Sequence, residues 1–388
     1  MKTIFGTRGL ILAAALGVSV GFTSLAFAQT AVIVNPDGKV TYLGTLGGSS
    51  FATDINDSGQ VVGNSILADG LPHAFITGPN GMGMTDLGTL GGILTQANGI
   101  NASGQVVGYS QTADGSYHAF ITGPNGMGMI DLGTFGGNVG AGTAINDAGQ
   151  VVGYSFRTDD SIHAFITGPN GMGMTDLGTL GALTGPDSIT FARDINDAGQ
   201  VVGLSEIPIT GVYHAFITGA NGMGMTDLGT LSGTTSVASG INDAGQVVGS
   251  SSIAGNTFIN HACITGPNGK GMTDLGTLGG THSFAAGIND AAQVIGYSET
   301  ADGSHHAFIT GPGGMGMTDL NLIADLPVSG VYLSRAEGIN NLGQVVGTVD
   351  AVPPIPEPAL YALMLVGLGL VGFMARRKKP TGNILTHG

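Results

Sequence analysis

INASGQVVGYS, residues 100–110, followed by HAFITGPNGMGMIDLGTFGG, residues 118–137, is the stretch that decides how this chain folds. Its Ile-Asn step returns at Ile55, Ile145, Ile195, Ile241, Ile288 and Ile339. Its His-Ala step returns at His73, His163, His214, His261 and His306. A repeat of roughly 45 residues belongs to solenoids and propellers, whose units bury a face only against a neighbour. Within this unit, residues 97–101, 105–110, 117–122 and 128–135 read as four short strands, a to d. Asn-Ala-Ser-Gly and Gly-Pro-Asn-Gly supply turns between a and b and between c and d. No 3.6-residue periodicity of useful length is present, so helices are not expected. Four strands in a unit of this size make one propeller blade.

The two ends of the array complement one another. AVIVNPDGKVTYLGTLGG, residues 31–48, fits strands c and d alone. AEGINNLGQVVGTV, residues 336–349, fits strands a and b alone. Half a blade at each end joins into one and closes a ring, whereas an open solenoid needs polar caps. The expected fold is all-β: a seven-bladed β-propeller closed by N-terminal c/d strands pairing with C-terminal a/b strands. A β-solenoid or another β-repeat array is the alternative.

HAFIT followed by DLGTLGG, and then AxxINxxGQVVG, resembles the HAF family of extracellular repeats. The resemblance covers nearly all of residues 31–349. It implies export and a repeated β fold. It implies no established activity, and so carries no catalytic residues.

The termini read as addresses. Lys2 and Arg8 precede an apolar run, and Ala26-Phe27-Ala28 offers a small-x-small cleavage site, so residues 1–28 read as a secretory signal peptide. The repeat domain follows at 29–350, then a Pro-rich linker, VPPIPEP, within 351–358. An uncharged run begins at Ala359, assigning 359–375 to a short transmembrane helix, with a basic cytoplasmic tail at 376–388. Its sixteen apolar residues would span roughly 24 Å as a helix, a short crossing. Pro356-Glu357-Pro358, the apolar run and Arg376-Arg377-Lys378-Lys379 together resemble the PEP-CTERM sorting signal of Gram-negative bacteria. That resemblance implies processing by an exosortase and delivery to the cell surface or extracellular matrix.

Composition narrows the partners. The 71 glycines sit at fixed places in a chain that is 42% hydrophobic, which describes a turn-rich folded protein rather than a disordered one. Between Arg8 and Arg376 lie five Lys and Arg against all 26 Asp and Glu, leaving −21. No basic footprint exists to replace phosphate counterions, which excludes nucleic acid. Cations and neutral glycans are easier partners. The single cysteine, Cys263, replaces the Phe of HAFIT and reads as a small buried hydrophobe.

The repeated polar residues read as scaffold. The six HA-motif histidines recur once per repeat, too far apart in a ring to gather as metal ligands. The T-D-L aspartates, Asp86, Asp131, Asp176, Asp227, Asp274 and Asp319, read as acceptors for backbone N–H groups at a turn or bulge. Residues 54–62, DINDSGQVV, open like a calcium loop but have Ser65 at the twelfth position, where an EF-hand needs an acid. No catalytic residue, metal site or cofactor is assigned; the acidic surface leaves calcium as the ion to test.

Loop lengths point to a site. The a-to-b spacing from Ile to Gln is always five residues, and the c-to-d spacing from His to Asp is always 13. The b-to-c spacing varies from 13 to 15 and the d-to-a spacing from 14 to 20. In a propeller these two variable connections emerge on one face, where function sits on loops of a rigid scaffold. The expected binding face is built by residues 183–190, 206–213, 251–260 and 324–335. Its candidate residues are Arg157, Asp159, Asp160, Asp187, Glu206, Tyr213, Asn256, Tyr332 and Arg335. The expected function is an exported binding or structural protein, engaging exopolysaccharide or another envelope component. The alternative is an extracellular carbohydrate-active enzyme, a hydrolase or lyase, using carboxylates on the varied face.

Overall fold

The computed structural model describes residues 29–183, 185, 188–208, 211–253, 256–326 and 331–351. The signal-peptide, linker and transmembrane assignments fall outside them. Among the described residues all extended elements are β-strands, joined by single-turn 3-10 segments. Five four-stranded sheets stand separately, and two further four-strand units are linked into one eight-stranded path. That link is a single parallel contact, Val139 to Tyr117.

Each repeat pairs its strands antiparallel in the order a-b-c-d. In the unit quoted above these are Gly91–Ile100, Val106–Thr112, Tyr117–Thr122 and Met129–Gly133. Strand c falls where alternation put it. Strand a begins six residues earlier than expected, and strand d stops short. The Gly-Gly pair is the reason: it reads as a turn but is the start of strand a, crossing over strand b. A Cβ on Gly137 would lie 2.6 Å from the Phe156 carbonyl oxygen, so only glycine permits the crossing. The Pro-Asn-Gly turn between c and d holds its asparagine at φ near 55°, as at Asn125, the left-handed region that Asn tolerates.

The first and last strands meet. Thr30–Val34 pairs antiparallel with Val345–Ala351, matching Thr30 to Val349 and Val34 to Val345. With Val40–Tyr42 and Val331–Ile339 they form one junction sheet. The a strands touch in a complete cycle, the last returning to the first. A ring of asparagines locks that cycle. Asn56 donates through Nδ2 to the Asn101 carbonyl, and the same bond runs on through Asn146, Asn196, Asn242, Asn289 and Asn340 back to Asn56, at 3.0–3.2 Å. The core lies between sheets. Phe75, Phe120, Phe165, Phe216 and Phe308 are fully buried there, one from each HAFIT-type strand. Cys263 takes the sixth place, 4% exposed, and burial pushes its thiol up to about 12, consistent with an inert packing residue.

Candidate functional site

Strand b runs from the constant a-to-b turn outward, so the b-to-c and d-to-a loops share one end of every sheet. The same end carries six His–Asp pairs. His73 Nδ1 lies 2.9 Å from an Asp86 carboxylate oxygen, and His118, His163, His214, His261 and His306 repeat the contact at 2.6–2.9 Å. Most of these aspartates also accept the N–H of the glycine two residues on, as Asp86 does from Gly88 at 2.8 Å. Each pair therefore ties strand c to the start of the d-to-a loop. The turn role expected of the aspartates holds; the histidine partner was not foreseen.

The candidate residues divide by what they touch. Arg157 Nη2 lies 2.7 Å from Asp176, which also pairs with His163. Burial alone would raise the Asp176 carboxyl. The His163 bond, the Gly178 N–H and the Arg157 charge outweigh it and hold the group below the usual range. Ser188 of the long loop reaches His163 Nε2 at 3.0 Å, seating that loop on the same cluster. Asp159 is exposed and accepts the N–H and hydroxyl of Ser161, which lower its pKa. Asp160 sits at φ 65° in the same turn. Glu206 is only 5% exposed and accepts the Gly211 N–H, so it shapes its own loop. Tyr213 packs at the edge of an apolar cluster around Tyr109, Tyr154 and Phe191. Asn256 begins the strand Asn256–Gly266. Asp187 lies outside the described residues.

Arg335 and Tyr332 belong to a larger assembly. The Arg335 guanidinium carbon stands 4.4 Å from the Tyr297 ring centroid. Tyr297 stacks on Phe284 at 4.9 Å, and Phe284 on His282 at 6.4 Å. His305 lies 5.7 Å from Tyr297, and Tyr332 lies 6.1 Å from His306. A cation over an aromatic face is worth roughly 0.5–1 kcal/mol when exposed. The stack places apolar rings beside the hydrogen-bonding guanidinium and imidazole groups.

A second charged set lines the central channel. Asp54, Arg193, Asp194 and Glu337 occupy the two positions before the repeated isoleucine; the other repeats have Gly, Ala, Ser, Thr or Asn there. That departure from the repeat was legible in the letters, but its meaning depends on strand a being innermost. Asp54 accepts the N–H groups of Ile55 at 2.8 Å and Ile100 at 3.0 Å. It is therefore part of an inter-sheet bridge rather than of a calcium loop. Its carboxyl is pushed up to about 7, chiefly by desolvation, with Asp194 from the far side of the ring adding to it. Desolvation likewise raises Asp194 to about 6.

These folded-state values exceed the ordinary carboxylate value. The two acids therefore favour the native state fully below about pH 4 and lose that contribution as pH rises through 6 to 7. The expected result is a fall in unfolding free energy of roughly 1–3 kcal/mol between about pH 5 and pH 8. Asp54→Gly with Asp194→Ala installs residues that other repeats carry, Gly99 and Ala144. Denaturant titrations of this double variant across that range should give a flatter slope. An unchanged slope assigns the effect to other groups.

Residues 354–378 match the PEP-CTERM protein-sorting motif. A search of curated protein sequences finds no match. Solved structures share the fold at low identity. An oligogalacturonate lyase in complex with manganese is 12% identical with a TM-score of 0.50, covering 84% of this chain and 97% of the other. A puromycin-hydrolyzing peptidase of Mycobacterium tuberculosis is 12% identical with a TM-score of 0.51, covering 84% of this chain and 57% of that one. The β-propeller domain of the Trilobed protease from Pyrococcus furiosus, described as having an open velcro topology, is 9% identical with a TM-score of 0.48, over 80% and 97%. The closed cycle of four-stranded units makes the fold all-β and propeller-like, and the chain carries a signal for export and sorting at residues 354–378. Among the described residues no helix is long and apolar enough to cross a membrane.

Proposed function

We propose that this is a seven-bladed propeller of the HAF-repeat type, sorted to the cell surface or extracellular matrix, which binds polysaccharide through its varied face. The observation that carries this reading is the Arg335–Tyr297–Phe284 stack. Aromatic planes match the apolar faces of sugar rings, and flanking His282, His305 and Arg335 supply donors for their hydroxyls. The six His–Asp pairs hold the surrounding loops to the sheets, so such a surface meets ligand with little ordering cost.

The route of the tail adds a constraint. Val345–Ala351 runs away from the constant turns, so the last described residue, Ala351, lies at the varied face. Seven linker residues reach at most about 25 Å. An unprocessed protein would hold this face toward the bilayer, and removal of the tail would free it for a polymer.

A glycan array probed with the exported protein tests the reading. Tyr297→Ala and Arg335→Ala should each weaken retention about tenfold, as central anchors do. Equal retention by both variants, or no glycan bound at all, sinks it. The second reading, a carbohydrate-active enzyme, draws on the raised carboxyls of Asp54 and Asp194 in the channel. Shortened glycans recovered from the same array would favour it.

A further inference from the structure

At six places around the ring, a turn of the chain's own Pro-Asn-Gly type seals the seam between neighbouring sheets. Gly126 of one turn sits on Leu87 and Ile76 of the preceding repeat so closely that a Cβ would lie 2.7 and 2.9 Å from their methyl carbons. Gly81, Gly171, Gly222, Gly269 and Gly314 seat in the same way. In four seams a glutamine of the preceding repeat also reaches the turn asparagine, as Gln60 does to Asn125 at 3.2 Å.

The seam between the 279–319 sheet and the junction sheet lacks this plug. Its turn, residues 35–39, is one residue shorter than residues 78–83. Its Gly38 meets Ile323 rather than a Leu–Ile pair, and the Gly38 carbonyl accepts the Asp325 N–H at 2.8 Å. A cavity of about 320 Å³ remains, floored by Ile309 and Leu320. Ile309 is only half-buried, whereas Ile76, Ile121, Ile166, Ile217 and Ile264 are each at most 6% exposed. Gln293 lines the cavity, and its Nε2 has no hydrogen-bond partner among the described residues.

The rim is apolar in this seam. Leu342 is 62% exposed where the other repeats carry Ser58, Ser103, Ala148, Ala198, Ala244 and Ala291. Ile323, 42% exposed, lies in the Asn-Leu-Ile segment peculiar to this repeat. A donor without a protein partner among the described residues, an Ile309 more open than its counterparts and two added apolar rim residues occur together here.

We propose that this wedge, on the constant face, is a docking site for a Gly-Pro-Asn-Gly type reverse turn presented by a partner protein. The partner's glycine would seat on Ile309 and Leu320, its asparagine oxygen would accept from Gln293, and an apolar residue following the turn would cover Leu342 and Ile323. The six intact seams are the precedent for the glycine seat, and four of them for the glutamine bond.

The probe is a fluorescent, end-blocked Gly-Pro-Asn-Gly-Met-Gly peptide, the sequence of residues 78–83, titrated with the exported protein. Saturable binding is expected. It should vanish when residues 35–39 are replaced by that same six-residue turn, which fills the wedge from within. It should weaken about tenfold in Leu342→Ser, an exposed change to the residue two other repeats carry. Circular dichroism checks that both variants fold, and Leu342→Ser decides alone if the graft does not. No saturable binding at millimolar peptide, or undiminished binding to the variants, overturns the proposal. Self-association that the graft abolishes would reassign the wedge to a second copy and overturn it equally.

Discussion

Removing residues 29–43 is expected to leave the chain unable to close, and a synthetic peptide of the same residues added in trans is expected to restore it. The segment supplies two of the four strands of the junction sheet. It brings Ala31, Val32, Ile33, Val34 and Leu43, each at most 6% exposed. Burying the four larger side chains is worth roughly 6–12 kcal/mol, as much as the whole net stability of a typical domain. Their partners would be stranded too: Val345, Val346 and Val349 are buried against the segment, and the freed edge of Val345–Ala351 invites aggregation. The truncated protein should show no cooperative thermal transition. The peptide should recover one by pairing with that edge, since the strand needs no covalent link to make its hydrogen bonds. A truncated protein that melts like the parent would show that closure contributes little.

How far the sequence reaches is visible in particular residues. Complementary halves at 31–48 and 336–349 are enough to foresee that Thr30–Val34 meets Val345–Ala351. HAFIT alternation places strand c to the residue. The start of strand a is hidden because a Gly-Gly pair has two uses, a turn or a close crossing, and only the approach to Phe156 separates them. The constant 13-residue interval from His to Asp is plain in the letters, yet the contact depends on hairpin register. Phe75 sits opposite Asp86, which brings His73 within reach diagonally. Glu206 was a candidate because it is charged beside a long loop, and its burial follows from bonding inside that loop. The Tyr297 stack was missed because its members are scattered over three strands, and its Tyr and Phe have counterparts at Tyr109, Tyr154, Phe51 and Phe191 that hide them within the repeat.

Asn340→Ala is expected to cost roughly 2–3 kcal/mol, and its damage should be local where that of Asn196→Ala is global. Asn340, 4% exposed, donates to the Asn56 carbonyl at 3.0 Å and to Gln344 Oε1 at 2.8 Å. Its oxygen accepts the N–H groups of Leu342 and Gln344 at 3.1 and 2.9 Å. Truncation leaves three of the four groups unpaired, while the Asn56 carbonyl still accepts the Gly59 N–H at 2.9 Å. A cavity of about 210 Å³ lined by the asparagine ring can admit water to some of them, which keeps the cost below the sum of the bonds. Asn196 makes the equivalent donation to Asn242, but to a neighbour 46 residues on, where the chain itself holds the two repeats together. Asn340 reaches across 284 residues and secures the C-terminal strand pair to the start of the array. Losing it should let Val331–Ile339 and Val345–Ala351 open as a unit while the other sheets stay closed. Hydrogen exchange would show this as faster exchange confined to those two strands and Thr30–Val34. Uniform acceleration across all repeats in Asn340→Ala would mean that the ring shares its load evenly, with no weakest point at the junction.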